Sequence, residues 1–187
     1  MFERGFKSWC ERFSKEKRIE MGVSPSDPLN PFELANKLGY CVWFPSDIEG
    51  LSVESTNALA QADGGWSAVT IVVEEKTAII LNSLHSKGRQ ASDLMHEMSH
   101  RILNHEPHDM EVSESGVMLL SAYDKQQEEE ADWLSSCLLL PREALFSIKR
   151  AGMELMDAAK LYGVSVSMMK YRMSMTGINK QFGYSRE

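Results

Sequence analysis

Residues 96–100 have the sequence His-Glu-Met-Ser-His and lie in a segment, 90–104, whose apolar residues recur at helical spacing. The residues that would share one side of this helix are Ala91, Leu94, Met98 and Ile102. Positions four apart lie on one face of a helix, so the imidazoles of His96 and His100 can reach one tetrahedral metal ion. The chain must therefore fold around a helix that packs on one side and carries a metal site on another.

Glu97 has a different position relative to that site. It lies three residues before His100, on the same side of the predicted helix but too close to bind the metal easily itself. It is placed to take a proton from a metal-bound water, whose pKa zinc lowers to about 7. The alternative is a solvated helix that carries two surface histidines and a glutamate. We favour the metal site because the predicted helix is amphipathic and follows a strand.

Two histidines leave zinc short of a protein ligand, and the acidic run 128–132 is the best donor. This run falls in a second predicted helix, 126–140. Glu128 and Asp132 are four residues apart, so Glu128 would bind zinc while Asp132 accepts the second ring N–H of a ligand histidine. Glu129 is the rival third ligand. A charged helix face is the alternative for the run taken alone.

The other candidates for the site are less specific. His85, His105 and His108 lie on or beside predicted loops, and we expect each to be exposed to solvent rather than to bind metal. One of them, or Tyr123, is a candidate to stabilise the oxyanion that forms when hydroxide attacks an amide carbonyl. Cys137 is out of phase with the third-ligand position, so we expect it in the core.

The remaining elements predict an α+β domain. In order, they are an amphipathic helix in the first twenty residues, a helix over 31–38, a strand over 40–44, a hairpin of strands 66–73 and 77–81, the two central helices, and short helices near 153–162 and 166–175. The aromatic stripe of the first helix is expected to pack on the protein body. The hairpin would either offer a strand edge to an extended substrate or be purely structural.

Composition narrows the class of protein. Of the 187 residues, 43% are apolar and 25% are charged, which is ordinary for a globular protein. No apolar run approaches the roughly 20 residues that span a bilayer, and the N-terminus lacks the apolar block of a signal peptide. Three unclustered cysteines favour a reducing, cytoplasmic location over a disulfide framework. A net charge of -7 argues against non-specific coating of nucleic acid.

The segment from residue 142 onward differs in charge, with eight basic and four acidic residues. Its two predicted helices look superficially like a helix-turn-helix, so contact with DNA is one interpretation. A capped helical hairpin packed on the catalytic core explains the same residues, and we favour it. Lys170 and Arg172 would equally line a substrate groove.

Taken together, the motifs resemble the ImmA/IrrE family of metallopeptidases, and the acidic run is similar to the third-ligand helix of gluzincins. The similarity covers about residues 31–178. The matching segments are 32–39, 79–82, 88–90, 96–100, 128–134, 138–141, 162–165 and 170–173. The resemblance implies a zincin-like core over 31–141 with a small sheet on the motif helix, preceded by a helix and linker (1–30) and followed by a helix-turn-helix-like segment (142–187).

The same resemblance implies site residues. It implies one zinc ion per chain with Glu128 as the third ligand, and Asp132 stands where the family often has asparagine. Asn82, which ends a matching strand, becomes a further candidate for contact with the oxyanion or the substrate. Manganese or iron are the other metals that this ligand set would accept.

The implied activity is endopeptidase cleavage of a phage-type helix-turn-helix repressor, which would switch on a stress, DNA-damage or defence operon. The first thirty residues are too few for a DNA-binding domain, so we expect the repressor to be a separate protein encoded nearby. The alternatives are a non-proteolytic zinc-containing regulator that binds DNA or a repressor, and a hydrolase of small amides. Glu97 favours an enzyme, because a structural zinc site needs no general base.

Overall fold

The helix that carries the His-Glu-Met-Ser-His motif runs from Lys87 to Ile102 in the computed structural model, which describes residues 2–50, 52, 54, 66–73, 76–105, 110–112, 118–120 and 124–183. The described helices are α1 (Phe6–Glu20), α2 (Pro31–Lys37), α3 (Lys87–Ile102), α4 (Lys125–Leu139), α5 (Arg142–Arg150), α6 (Leu155–Leu161), α7 (Val166–Met175) and α8 (Ile178–Gly183). The described strands are β1 (Cys41–Trp43), β2 (Ala68–Val73), β3 (Lys76–Leu81), β4 (Met110–Val112) and β5 (Met118–Leu120). The predicted α+β class is confirmed.

A small mixed sheet lies beside the motif helix, with its three strands in the order β1-β3-β2. β2 and β3 form the predicted hairpin, antiparallel with Ala68 opposite Leu81, and β1 runs parallel to β3. Ile79 and Leu81 of the central strand are fully buried. Among the described strands β2 is therefore an edge of this sheet, and it contacts α3.

The main core lies between α3 and α4. The core residues of these two helices that are completely buried include Leu94, Met95, Met98, Leu134, Cys137 and Leu138. The predicted burial of Cys137 is confirmed. Truncating one of these leucines to alanine typically costs about 2–5 kcal/mol, because the cavity refills only partly. The packing therefore fixes the relative position of the two helices that carry the candidate metal ligands.

The aromatic stripe of α1 packs on the protein body, as predicted. Phe6, Trp9 and Phe13 lie partly buried against the core, and the ring of Phe2 lies 5.5 Å from that of Trp133 on α4. These rings stack in sequence along the helix, with 5.0 Å between the centroids of Trp9 and Phe13. The stripe is thus a packing face between α1 and α4.

Two buried polar side chains of α1 contact the C-terminal end of α4. Ser14 Oγ donates to the carbonyl oxygen of Cys137 at 2.7 Å, and Arg18 Nη2 donates to that of Leu138 at 2.8 Å. Both side chains are fully buried, and burial lowers the pKa of Arg18 to about 10. Carbonyls in the last turn of a helix have no partner within it, so these contacts satisfy groups that would otherwise be buried unpaired.

The C-terminal segment contains more helix than predicted. Pro141 follows the end of α4, as expected, but it is also the N-cap of α5, which the sequence analysis did not predict. Proline is compatible with a helix start, and Leu145 and Ile148 are buried at helical spacing. α6 and α7 correspond to the two predicted helices, and Ser165 Oγ caps α7. The short α8 was also missed.

One cluster of buried apolar residues contains members of all three predicted segments, 1–30, 31–141 and 142–187. Cys10, Leu134 and Met169 are one example from each. Between α3 and α4, where the sequence analysis predicted no helix or strand, β4 pairs with β5 in antiparallel register. No helix in the described part of the chain is long and apolar enough to cross a membrane.

Candidate metal centre

The candidate site is built on α3, whose position is fixed at its start and along its buried face. Ser86 caps the helix by accepting from the amide of Arg89, and Gln90 donates to the carbonyl oxygen of Asn82 in the preceding loop. The buried side of α3 packs on the core, which leaves His96, Glu97 and His100 on a half-buried face.

The ligand atoms of α3 meet a carboxylate from α4. The Nε2 atoms of His96 and His100 lie 3.0 Å apart. Glu128 brings Oε2 to 3.3 Å from Nε2 of His96 and Oε1 to 3.4 Å from that of His100. One ligand atom from each of the three side chains therefore lies within 4.8 Å of the other two, a group able to hold a metal ion.

The residues fit a tetrahedral metal in spacing and in chemistry. Atoms bound to zinc at about 2.0–2.1 Å in a tetrahedron lie about 3.3 Å from one another. Two histidines and a glutamate are a ligand set of catalytic zinc sites, which keep a fourth position for water or substrate. The Nε2 atoms of His96 and His100 lie 3.0 Å apart, close enough for one cation to contact both, and a proton on either nitrogen would also join them by a hydrogen bond. The arrangement is therefore able to hold a cation.

Asp132 contacts the first histidine through the ring nitrogen that faces away from the ligand group. Its Oδ1 lies 3.0 Å from Nδ1 of His96, and because a carboxylate only accepts, Nδ1 carries the proton and Nε2 is left for the metal. Burial opposes protonation of His96, but the hydrogen bond and the charge of Asp132 outweigh it, and the pKa of His96 is raised. The surroundings of this histidine are therefore suited to positive charge.

Glu97 lies beside the ligands and is held by the sheet. Its Oε2 accepts a hydrogen bond from Thr70 Oγ1 on β2. Burial raises the pKa of Glu97, while the bond from Thr70 and the charge of His96 act in the opposite direction. A carboxylate with a raised pKa is a better proton acceptor near neutrality, which is the property a general base needs.

A cleft of about 300 Å³ opens onto Glu97 and His96. Its other lining residues are Ser67 and Ala68 at the start of β2 and Asp93 one turn before Glu97. Asp93 Oδ2 lies 3.1 Å from Nδ1 of His85. The cleft therefore has a strand edge on one side and the motif helix on the other.

The three acidic residues of the α4 run have different surroundings. Glu128 lies at the ligand group, whereas Glu129 is exposed and lies 3.8 Å from Lys125. Glu130 Oε2 lies 3.3 Å from Nε2 of His105. Of the two rivals for third ligand, the structure brings Glu128 to the histidines and leaves Glu129 at the surface.

The prediction that His85 and His105 are solvent-exposed is wrong, because both side chains are largely buried. His105 is 7% exposed and its Nδ1 lies 3.0 Å from Nδ1 of His100, on the far side of that ring from the ligand group. It is therefore not placed to contact an oxyanion. His108 and Tyr123 lie outside the described residues.

Arg172 does not line a substrate groove. Its guanidinium is fully buried, donating from Nη2 to Glu11 Oε1 at 2.6 Å and from Nε to the carbonyl oxygen of Leu140 at 3.0 Å. The proposed role of this residue at the substrate is wrong, since these bonds hold α7 to α1 and to the end of α4. Lys170 is exposed.

Asn82 likewise has a structural position. Its side chain is 4% exposed, donates to the carbonyl oxygen of Trp66 at 3.2 Å and accepts from the amide of Leu84 at 2.9 Å. These bonds fix the loop between β3 and α3. The structure does not place it at the ligand group as an oxyanion or substrate contact.

Sequence analysis missed two residues of the site, Thr70 and Asp93. Asp93 lies four residues before Glu97, so helical spacing alone contained the signal. Thr70 shares a strand face with Ala68, but nothing in the sequence indicates that this face meets α3. Its contact depends on how the sheet packs.

The family model described as the IrrE N-terminal-like domain, Peptidase_M78, matches residues 59–174. No curated protein sequence gives a significant match. The matched region contains both α3 and α4 and covers more than half of the 187 residues. The family resemblance predicted from the motifs is therefore confirmed, and the chain belongs to the Peptidase_M78 family of metallopeptidases, the ImmA/IrrE group.

Proposed function

We propose that this protein is a zinc-dependent endopeptidase that acts on a regulatory protein. The observation that carries the proposal is the convergence of three ligand atoms from His96, His100 and Glu128, with the carboxylate of Glu97 beside them. A site that only stabilised the fold would usually be closed by four protein ligands and would not need a half-buried carboxylate beside them. Zinc is the metal that this ligand set most often takes.

His96, His100 and Glu128 would hold the metal, and Glu97 would move the proton. When bound, zinc supplies Lewis acidity that polarises a carbonyl and makes water a usable nucleophile near neutral pH. Glu97 accepts the proton of that water at a carboxylate oxygen and returns it to the leaving amine. Thr70 keeps the carboxylate aimed at the cleft throughout.

The substrate would be bound in extended form along β2. This strand is an edge of the sheet among the described strands, and Ala68 lines the cleft next to His96 and Glu97. An extended peptide can pair with such an edge through main-chain hydrogen bonds, which recognise the backbone rather than particular side chains. A long substrate segment fits this mode better than a small amide does.

The substrate we propose is a helix-turn-helix repressor of the phage type, encoded near the gene and cleaved in the cytoplasm. The family resemblance is the support for this choice, and the extended strand edge supports a protein substrate in general. The alternative, a non-proteolytic regulator that binds DNA, gains little from α7. That helix exposes Lys170, but Arg172 is buried against Glu11 and is lost to any DNA-binding surface.

The test is incubation of the zinc-loaded protein with the repressor encoded beside its gene, with fragments identified by mass spectrometry. We expect a discrete cut that Glu97→Gln reduces by about 100-fold or more, since general base catalysis contributes typically 10²–10⁴-fold. Glu129→Gln is the matched control, because that glutamate is exposed and lies 3.8 Å from Lys125 rather than at the histidines. If fully zinc-loaded protein leaves the repressor uncut, the non-proteolytic regulator is favoured. If the protein hydrolyses small amides but not the repressor, the hydrolase of small amides is favoured.

A further inference from the structure

The C-terminal end of α3 has an unusual backbone. The helix ends at Ile102 with Leu103 as its C-cap, and Asn104 follows with a φ of 54°, the one positive φ at a non-glycine position in the described part of the chain. The amide of His105 donates to the carbonyl oxygen of His100 at 3.0 Å, and the amide of Asn104 donates to the carbonyl oxygen of Arg101 at 3.2 Å. This pair of bonds is a Schellman motif, in which asparagine tolerates the left-handed position almost as glycine does.

This turn folds His105 back against a candidate metal ligand. The rings of His100 and His105 meet edge to face, with 5.0 Å between their centroids and 3.0 Å between their Nδ1 atoms. The other nitrogen of His105, Nε2, lies 3.3 Å from Glu130 Oε2 on α4. The second oxygen of Glu130 accepts from Gln126 Nε2 at 3.0 Å, which fixes the carboxylate.

The protons in this series of hydrogen bonds, from His100 through His105 to Glu130, can be assigned from the two end residues. If His100 binds metal through Nε2, its proton must be on Nδ1, where His105 Nδ1 is the neighbour at hydrogen-bond distance. His105 Nδ1 must then accept, so the proton of His105 is on Nε2, facing Glu130. The carboxylate of Glu130 accepts this proton, so each donor in the series has an acceptor. His100 is thereby held in the tautomer that a metal bound at Nε2 requires.

Two other roles for His105 do not fit its position. As a metal ligand it would have to reach the Nε2 side of His100, but it contacts the opposite side of that ring. As a substrate contact it would have to be accessible, but its side chain is 7% exposed. A histidine that merely filled the core would not need a carboxylate partner on another helix.

We propose that His105 and Glu130 are positioning residues that fix the tautomer and ring orientation of His100 for metal binding. Asp132 does the same for His96 directly, whereas on His100 the carboxylate acts through an intervening imidazole. The inference rests on the proposed metal site. It assigns a function to the helix end as well, because the left-handed Asn104 is what brings His105 back over the ring of His100.

Affinity for zinc alone tests this inference without any substrate. His105→Phe keeps an aromatic ring but removes the acceptor, whereas His105→Asn keeps an oxygen near the position of Nδ1. We expect His105→Phe to raise the Kd for zinc about 10- to 100-fold, as loss of an outer partner typically does, and His105→Asn to recover most of the affinity. Glu130→Gln should weaken binding in the same direction, and Glu129→Gln should not.

The measurement is competition with a chromogenic chelator, with far-ultraviolet circular dichroism as a check on folding. In zinc-loaded protein, ¹H–¹⁵N spectra of the imidazoles should also show an exchange-protected Nδ1–H of His100 that His105→Phe removes. A folded His105→Phe with wild-type zinc affinity would overturn the inference and leave the metal site intact. If His105→Phe does not fold, unchanged affinity in Glu130→Gln overturns it instead. A folded wild-type protein that binds no zinc would overturn the proposed metal site itself.

Discussion

Thr70 on β2 donates a hydrogen bond to Glu97 on α3, so the edge strand and the motif helix are joined at the proposed general base. The same strand is the surface along which we propose that substrate binds. A peptide that pairs with β2 would therefore contact the element that also holds the carboxylate. Under this proposal, a single strand would both position the general base and bind the backbone of the substrate.

Replacing Thr70 by valine should slow catalysis without unfolding the protein. A hydrogen bond to a charged group contributes about 1.5–3 kcal/mol, so we expect kcat/KM to fall by about 10- to 100-fold. The hydroxyl of Thr70 favours the ionised carboxylate, so its loss raises the pKa of Glu97 further. As the pH is lowered, the variant should therefore lose activity at a higher pH than wild type does. Thr70→Ser, which keeps the hydroxyl, should keep the wild-type pH profile; a profile unchanged in Thr70→Val would contradict the assignment.

Glu128 and Glu129 should differ sharply as metal ligands. Glu128→Gln removes an anionic ligand 3.3–3.4 Å from both imidazole Nε2 atoms, and we expect its zinc affinity to fall by more than the roughly 10- to 100-fold of an outer partner. Glu129→Gln should bind zinc as wild type does. Chelator competition on the two variants measures this difference, and equal losses would reopen the choice of third ligand.

Asp132 should tolerate asparagine but not leucine. Asparagine retains a side-chain oxygen that accepts from Nδ1 of His96, so zinc affinity should stay within a few-fold of wild type. Leucine removes the acceptor, and we expect affinity to fall about 10- to 100-fold. The Asp132 side chain is 69% exposed, so the free energy of unfolding of the metal-free protein should change little in either variant. Isothermal titration with zinc gives the affinities; similar values for both variants would argue against an orienting role.

Removing the metal should lower the melting temperature. A ligand that binds only the native state at 100 times its Kd stabilises that state by about 2.7 kcal/mol. For a chain of this length such a gain raises Tm by roughly 5–10 °C. Differential scanning calorimetry with and without a chelator measures the shift. Glu128→Gln should show almost none of it, and a full shift in that variant would place the stabilising metal elsewhere.

The ion pair of the buried Arg172 and the half-buried Glu11 should be more costly to break than to replace. Arg172→Leu leaves the carboxylate of Glu11 without its guanidinium, and because this carboxylate stays partly exposed we expect a loss below the about 3–5 kcal/mol of a fully buried pair. The double variant with Glu11→Leu removes both charges and should be more stable than the sum of the single changes predicts. Urea unfolding of the three variants gives the coupling energy, and additive losses would show that the pair does not interact in this way.

The positions of the candidate ligands on α3 could be predicted because their geometry is local. His96 and His100 are four residues apart in one helix, so sequence spacing alone places both rings on one face. Glu128 and Asp132 have the same spacing, and only their approach to α3 had to be inferred. The hairpin was predictable for a similar reason, since its strands are separated by a short polar turn.

The outer contacts could not be predicted, because they depend on tertiary packing. His105 lies beside His100 through the left-handed backbone of Asn104, and its second partner, Glu130, belongs to another helix. The charge of Arg172 is visible in the sequence, but its burial is not, because Glu11 is 161 residues away along the chain. Long-range partners of this kind leave no periodic signal.

The order of synthesis determines when α1 can contact the end of α4. Ser14 and Arg18 satisfy the carbonyls of Cys137 and Leu138, which are 123 and 120 residues further along the chain. Chains leave the ribosome N-terminus first, so α1 is made long before the helix on which it rests. Until α4 emerges, the buried face of α1 lacks its partners on that helix, and Glu128 has not yet met the two histidines. On a growing chain, the candidate metal site and the contacts that anchor α1 on α4 therefore form only after the same helix has been made.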